Sequence, residues 1–99
     1  MTITEQQNHL KEVTTKIKDI LLKKGNDYAN ADRLSNFKLA GNICGISPQL
    51  NCLSLIATKV ARLGVLLNSE HEPNNESIAD SIIDLACYSV LLSMLNDEM

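Results

Sequence analysis

The sequence predicts an all-α protein, a small bundle of three long helices and one short helix in a single domain of residues 1–99. Apolar residues recur at three- and four-residue intervals in three long segments, which is the period of an amphipathic helix. Two of these segments begin with a recognisable helix-start signal. The chain is 44% hydrophobic but has one Phe, two Tyr and no Trp, so we expect a lean aliphatic core.

The first long helix is expected over residues 3–24. Thr2 and Glu5 match a capping box, in which the Thr side chain accepts from a helix amide and the Glu side chain reaches back to the N-cap amide. Gly25 suits the position that follows a helix end. The apolar stripe of this helix consists of Leu10, Val13, Ile17, Ile20 and Leu21.

The next segment is polar and is typical of a structured loop. Asn26 and Asp27 are good turn residues, which is one explanation for their presence. Together with Tyr28 they also supply an amide for a base edge, a carboxylate for a hard cation and an aromatic ring for stacking, the groups that nucleotide sites use. A short helix over residues 33–40 is expected to follow and to end at Gly41.

Ser47 and Pro48 predict the start of the second long helix, because Ser is a good N-cap and Pro is tolerated at the first helical position. This helix is expected over residues 48–68. Gly64 in its middle costs about 1 kcal/mol relative to Ala, unless it permits a close approach to another helix or to a ligand. The expected core seam is Leu53, Ile56, Val60, Leu63 and Leu67.

Lys59 and Arg62 are three residues apart and share one face of this helix. One interpretation is an exposed or salt-bridged surface, which is the commoner outcome for such a pair. The other is a phosphate clamp, with Lys59 as a point charge and Arg62 as a bidentate fork. The sequence leaves both interpretations open.

The last helix carries an acidic row, because Glu76, Asp80, Asp84 and Tyr88 follow one another at four-residue steps. Like charges at this spacing repel by about a few tenths of a kcal/mol per pair. Asp84 lies beyond the reach of the helix dipole, so the row indicates either a structural ion pair or a metal or ligand site. The helix is expected over residues 75–96, with a core stripe of Ile78, Ile82, Leu85, Ser89 and Leu92.

The composition argues against several kinds of partner. The formal net charge of -3 and the lack of a basic cluster predict no binding to duplex nucleic acid. We recognise no signal peptide and no apolar run of roughly 20 residues, so we expect no membrane association and a cytoplasmic location. Cys44, Cys52 and Cys87 form no CxxC pair, and we expect three buried thiols.

Surplus apolar residues predict a homo-oligomer with an even number of chains, built from two-fold contacts. They lie beside the expected core stripes and exceed what a lone bundle of this size can cover. In such an oligomer we expect the ligand site to lie between subunits. The residues are Leu55, Val65 and Leu66 in the second long helix and Ile83, Val90, Leu91 and Met94 in the last.

Four segments carry a resemblance to a known family: Lys24-Gly-Asn-Asp-Tyr28, Leu34-Ser-Asn-Phe-Lys38, Ala57-Thr-Lys-Val-Ala-Arg-Leu63 and Asn75-Glu-Ser-Ile-Ala-Asp-Ser-Ile-Ile-Asp-Leu-Ala-Cys-Tyr88. Over residues 20–92 the chain resembles the small phage and bacterial proteins called nucleotide modification associated domain 1. That resemblance implies a phage or prophage setting, and so the host-cell cytoplasm, with a role near modified nucleotides.

The chain is more remotely similar to the all-α nucleotide pyrophosphatases of the MazG type, in which acids on two helices hold magnesium beside a triphosphate. It departs from that pattern, because its second long helix has no E-E-x-x-E and its last helix spaces the acids by four residues rather than three. The departure argues against hydrolysis, and no residue is assigned a catalytic role.

The sequence therefore predicts a protein that binds a nucleotide or a nucleotide-derived molecule in a charged cleft between the second and the last long helices, with Mg²⁺ as the expected cofactor. Two alternatives stay open: a phage protein that sequesters a nucleotide immune signal without chemistry, and a structural oligomeric adaptor. The candidate ligand-binding residues are Lys59, Arg62, Tyr28, Asn26 and Tyr88, and the candidate metal ligands are Asp80, Asp84, Glu76 and Asp27.

Overall fold

The computed structural model describes residues 1–27, 32, 34–68 and 75–98, with the side chains of 24–27 and 75–77 outside that description. All regular structure in these residues is helical, which confirms the predicted fold class. α4 packs chiefly on α3, α2 packs on α3, and α1 packs on α4. The helices are α1 (Ile3–Asp27), α2 (Ser35–Cys44), α3 (Pro48–Leu67) and α4 (Asn75–Asp97).

Two predicted helix starts are confirmed by hydrogen bonds. The backbone N–H of Glu5 donates to Thr2 Oγ1 at 3.1 Å at the start of α1. The N–H of Leu50 donates to Ser47 Oγ at 3.1 Å at the start of α3, with Pro48 at the first helical position. Each hydroxyl satisfies one of the amides that a helix start leaves without an intrahelical partner.

The predicted end of α1 before Gly25 is wrong, because the helix continues to Asp27. A glycine inside a helix costs about 1 kcal/mol relative to Ala, which is too little to stop a helix that neighbouring residues support. The backbone of Asn26 and Asp27 is therefore helical rather than part of a loop. Their side chains lie outside the described residues.

The predicted end of α2 at Gly41 is also wrong. The helix ends at Gly45, which has a φ of 71°, and Gly45 N–H and Ile46 N–H donate to the carbonyls of Asn42 and Gly41. This left-handed cap favours glycine. Gly41 serves the packing of the turn instead, because a Cβ there would lie 2.8 Å from the carbonyl oxygen of Ile46.

The core lies where the start of α2, the first half of α3 and the second half of α4 meet. Cys52 is fully buried, and its thiol donates to the carbonyl of Tyr88 across the α3/α4 contact at 3.5 Å. Gln49 Nε2 also donates across this contact, to the carbonyl of Leu95 at 3.3 Å. The cluster consists of Leu34, Cys52 and Leu95, with Phe37, Ile56, Tyr88, Leu91 and Leu92 packed against it.

The predicted core seam of α3 is only partly correct. Leu63 is buried and Ile56 is half-buried, but Leu53, Val60 and Leu67 are exposed. The helix has two apolar stripes whose residues alternate along the sequence. The periodicity does not indicate which stripe packs against another helix. The covered stripe consists of Cys52, Ile56, Lys59, Leu63 and Leu66.

The predicted core stripe of α4 needs a similar correction, because Ile82 and Ser89 are exposed while Ser81 and Cys87 are buried. α4 contacts both α3 and α1. Its covered surface is therefore wide, and it includes the side on which Asp84 lies. Of the acidic row, Asp84 and Tyr88 lie on the packed side of α4, whereas Asp80 is exposed.

Two helices in the described part of the chain are long and apolar enough to cross a membrane by length and composition. They are Pro48–Leu67 and Ile78–Asp97, each of 20 residues, with mean hydropathy 1.6 and 1.7. The expectation that no apolar run approaches this length is therefore wrong. The finding is a weak indication, because core helices of soluble proteins meet the same criteria, and the expected cytoplasmic location stays a prediction.

Lys38 of α2 forms two ion pairs, one with Asp32 before this helix and one with Glu98 directly after α4. Its ammonium lies 2.7 Å from Asp32 Oδ2 and 2.8 Å from Glu98 Oε2. The hydrogen bonds from Lys38 and from the backbone N–H of Leu34 hold the pKa of Asp32 below its ordinary 3.8. The bonds to Asp32 and Glu98 raise the pKa of Lys38 above 10.5.

We expect the ion pairs of Lys38 to stabilise the fold at pH values between the lowered pKa of Asp32 and the raised pKa of Lys38. Because the pKa of Asp32 is lower in the folded state, its contribution is present above pH 3.8 and is lost as the pH falls through the depressed pKa. Lys38→Met should therefore lower the melting temperature at pH 7, and the difference from wild type should shrink below pH 3.8. Lys16→Met, at an exposed position of α1, is the control. A difference that did not change with pH would contradict this account.

The three thiols should differ in reactivity. Cys44 is exposed, which contradicts its expected burial, whereas Cys52 and Cys87 are buried as predicted. Burial raises the pKa of the Cys52 thiol, so little reactive thiolate forms there. In the native protein we expect iodoacetamide to label Cys44 within minutes and the other two only on unfolding. Mass spectrometry of labelled peptides measures this, and rapid labelling of Cys52 would contradict the packing of α3 on α4.

Candidate ligand-binding groove

A groove of about 470 Å³ lies over α4 between α1 on one side and α2 and α3 on the other. Its walls are mostly apolar, with two aromatic rings, two side-chain amides and one carboxylate among them. Protein sites for small molecules combine an apolar cleft with a few placed polar groups in this way. The lining residues are Leu21, Leu22, Leu34, Asn36, Phe37, Ala40, Asn51, Leu55, Asp84, Cys87, Tyr88, Leu91 and Met94.

The acidic row approaches the groove along α4. Asp84 lines the groove and is partly buried, whereas Asp80, one turn earlier, is exposed. Tyr88, one turn later, also lines the groove and packs against the core. The four-residue spacing thus brings Asp84 and Tyr88 to one site, as predicted. The side chain of Glu76 lies outside the described residues.

Lys59 forms the charged contact between α3 and α4. Its Nζ donates to Asp84 Oδ2 at 3.3 Å, and its side chain is more buried than the carboxylate. The sequence left open whether Asp84 belongs to an ion pair or to a ligand site. The structure shows an ion pair, and it also places that pair at the wall of the groove.

Arg62 is exposed and makes no hydrogen bond or ion pair with the described residues. It lies on the same face of α3 as Asn51 and Leu55, which line the groove, because residues four and seven positions apart share one side of a helix. The guanidinium is therefore available next to the groove. Arg62 and Asp80 were both candidates for the predicted charged cleft, but they form no ion pair in the part of the chain described.

The sequence reasoning missed both side-chain amides of the groove, Asn36 and Asn51. Asn51 Nδ2 donates to the carbonyl of Phe37 at 3.4 Å, which ties α3 to α2. Asn51 could have been found, because it lies about three helical turns before Arg62 and so shares its side of α3. Asn36 could not, since its position depends on where α2 begins. Tyr28, a predicted base contact, lies outside the described residues.

Mg²⁺ needs several oxygen ligands in a regular arrangement. Among the described residues no group of three His, Cys, Asp or Glu side chains comes together. Asp84 is paired with Lys59 and Asp80 is exposed, so these two carboxylates do not form a cation site by themselves. The side chains of Glu76 and Asp27 lie outside the described residues. The magnesium site stays a prediction, and no role is derived through it.

The fold and the groove define a small all-helical protein with an amphipathic cleft. Comparisons with protein-family models, with curated proteins and with solved structures found no match. The resemblance to nucleotide modification associated domain 1 therefore stays a prediction.

Asp84→Asn should be nearly neutral for stability. The Lys59 ammonium can reach water when its partner is removed, and a partly exposed pair contributes roughly 0.2–1 kcal/mol. We expect the free energy of unfolding in urea to fall by no more than about 1 kcal/mol. Asp97→Asn, at an exposed position of the same helix, is the control. A loss of roughly 3–5 kcal/mol would instead identify a buried structural pair.

Proposed function

We propose that this protein binds a nucleotide or a nucleotide-derived molecule in the groove. The observation that carries the proposal is the composition of the groove wall: aromatic rings and side-chain amides lie in one cleft with the Asp84 carboxylate, which is paired with Lys59. The exposed Arg62 shares the groove side of α3. A nucleotide has these two parts, a flat base with polar edges and a phosphate group.

The apolar part of the groove suits a base. Phe37 and Tyr88 offer aromatic surface, and stacking of a base on such a ring contributes roughly 1–3 kcal/mol. The amides of Asn36 and Asn51 can both donate to and accept from the edge of a base. The volume of about 470 Å³ falls within the range of small-molecule sites.

The cationic residues suit the phosphate. Lys59 lies at the groove through its bond to Asp84, and Arg62 lies one turn further along α3 with no partner among the described residues. Arg binds phosphate oxygens in a bidentate way, and Lys adds a compact charge. Phosphate can thus contact both cations while Asp84 remains bonded to Lys59.

A second function, a structural oligomeric adaptor, is favoured by one observation. Asp84 already has a partner within the chain, so no ligand is needed to balance its charge. The adaptor and the nucleotide-binding protein differ in their response to nucleotides. A protein that sequesters a nucleotide immune signal would also bind a nucleotide in the groove. It would differ from an enzyme because it would leave the nucleotide chemically unchanged.

Removal of the unpaired cation tests the proposal. Binding of a panel of nucleoside mono-, di- and triphosphates and cyclic nucleotides is measured by calorimetry, with Mg²⁺ and with EDTA. Arg62→Ala should raise the Kd roughly ten- to hundredfold, because a hydrogen bond to a charged group contributes about 1.5–3 kcal/mol. The fold should not change, since Arg62 is exposed.

Lys18→Ala is the matched control, because it removes one exposed positive charge from α1 outside the groove lining. Equal losses in both variants would show a general charge effect rather than a site. No binding across the panel would favour the adaptor. Analysis of the bound nucleotide by chromatography then separates sequestration from turnover.

A further inference from the structure

α3 carries a second apolar stripe that no part of the described chain covers. Its residues follow one another at alternating steps of three and four, the spacing of a coiled-coil seam. Leu50, Leu53, Val60 and Leu67 are 53%, 49%, 52% and 65% exposed. No charged or polar side chain interrupts the stripe, which consists of Leu50, Leu53, Ala57, Val60, Gly64 and Leu67.

Nothing in the described part of the chain requires a glycine at position 64. A Cβ built on it would meet no atom within 4 Å, and its φ is not in the left-handed region. Glycine weakens a helix interior, so a position that tolerates any small side chain would favour Ala. Because no described residue fills this space, Gly64 leaves room for the close approach of another helix.

The surface area supports a partner of substantial size. The chain exposes 7413 Å², whereas a compact monomer of its mass exposes about 5,600 Å². Its radius of gyration is 15.7 Å, compared with about 13 Å for a compact chain of this length. A standard interface buries about 800 Å² per partner, so the excess surface is sufficient for one.

We propose that this stripe is a two-fold interface in which α3 packs antiparallel against α3 of a second copy. The spacing of the stripe is symmetric about its centre, between Ala57 and Val60. Antiparallel pairing therefore sets Leu53 opposite Gly64 of the second copy, Ala57 opposite Val60 and Leu50 opposite Leu67. Each small residue meets a larger one, which is the complementarity that close helix packing needs.

A parallel pair fits less well. It would set Gly64 opposite Gly64 and Ala57 opposite Ala57, which leaves gaps at two levels, whereas the antiparallel pair sets a larger side chain opposite each of them. An unrelated apolar partner is disfavoured as well, because its residues need not have the same symmetric spacing. A second copy of the chain carries the same stripe, so its spacing matches when the two helices run antiparallel.

The mass of the protein in solution, measured by light scattering at micromolar concentration, tests the interface. We expect wild type to have at least twice the chain mass of 10.9 kDa. Val60→Lys places a charge at the centre of the stripe and should at least halve that mass. Val65→Lys is the matched control, because Val65 is on the same helix, is 73% exposed and lies off the stripe. A wild-type mass of 10.9 kDa, or equal effects of both variants, would overturn the proposal.

Two further experiments keep the test decisive if Val60→Lys does not fold. In the first, the Leu side chain of Gly64→Leu meets no described residue, so this variant should fold with unchanged helicity, yet it should dissociate the oligomer. In a Cys44→Ser background, Leu53→Cys and Gly64→Cys chains are mixed and oxidised. Antiparallel packing predicts a mixed disulfide between the two kinds of chain, whereas disulfides within each kind would overturn the antiparallel arrangement.

Discussion

The packing of α3 against α4 is the constraint on which the rest of the structure depends. α3 contacts both α2 and α4, and α1 joins the bundle through α4. At the centre of the α3/α4 contact the small Cys52 side chain approaches the backbone of Tyr88 closely enough for its thiol to donate to the carbonyl. That close approach leaves the Tyr88 ring at the edge of the core, where it lines the groove. A larger residue at position 52 would push the helices apart and change the width of the groove.

The same contact holds charges that add little to stability. Asp84 and Lys59 are partly exposed, and such pairs contribute roughly 0–1 kcal/mol. Apolar residues of similar size at these positions would stabilise the α3/α4 contact at least as well. Stability alone therefore does not account for this charged pair, whose carboxylate lines the groove. The proposed binding of a polar ligand would give the pair a function, and the exposed Arg62 on the groove side of α3 is consistent with that proposal.

What the sequence predicted correctly rests on local interactions. Ser47 caps α3 through a contact within four residues, so its pattern is sufficient to place the helix start. Gly41 and Gly45 could not be distinguished in this way, because Gly41 is fixed by the carbonyl of Ile46 in a turn whose path depends on α2 packing against α3. Lys59 and Asp84 were both placed in the predicted charged cleft, because each shares a helix face with other charged residues. The amides that complete the groove wall could not be placed, since their positions depend on three helices meeting. Periodicity finds the stripes of a helix without showing which neighbour covers each one.

The groove side of α3 and its exposed apolar stripe differ in chemistry and in position. Asn51, Leu55 and Arg62 lie on the groove side, and the exposed stripe centred on Ala57 and Val60 lies roughly 170° away, at 100° per residue. An antiparallel α3 pair therefore leaves each groove complete within one chain and open to solvent. This arrangement differs from the expected ligand site between subunits. Since α3 also forms the shared wall of core and groove, dimerisation that fixes α3 would hold the groove in shape and reduce the entropy lost when a ligand binds.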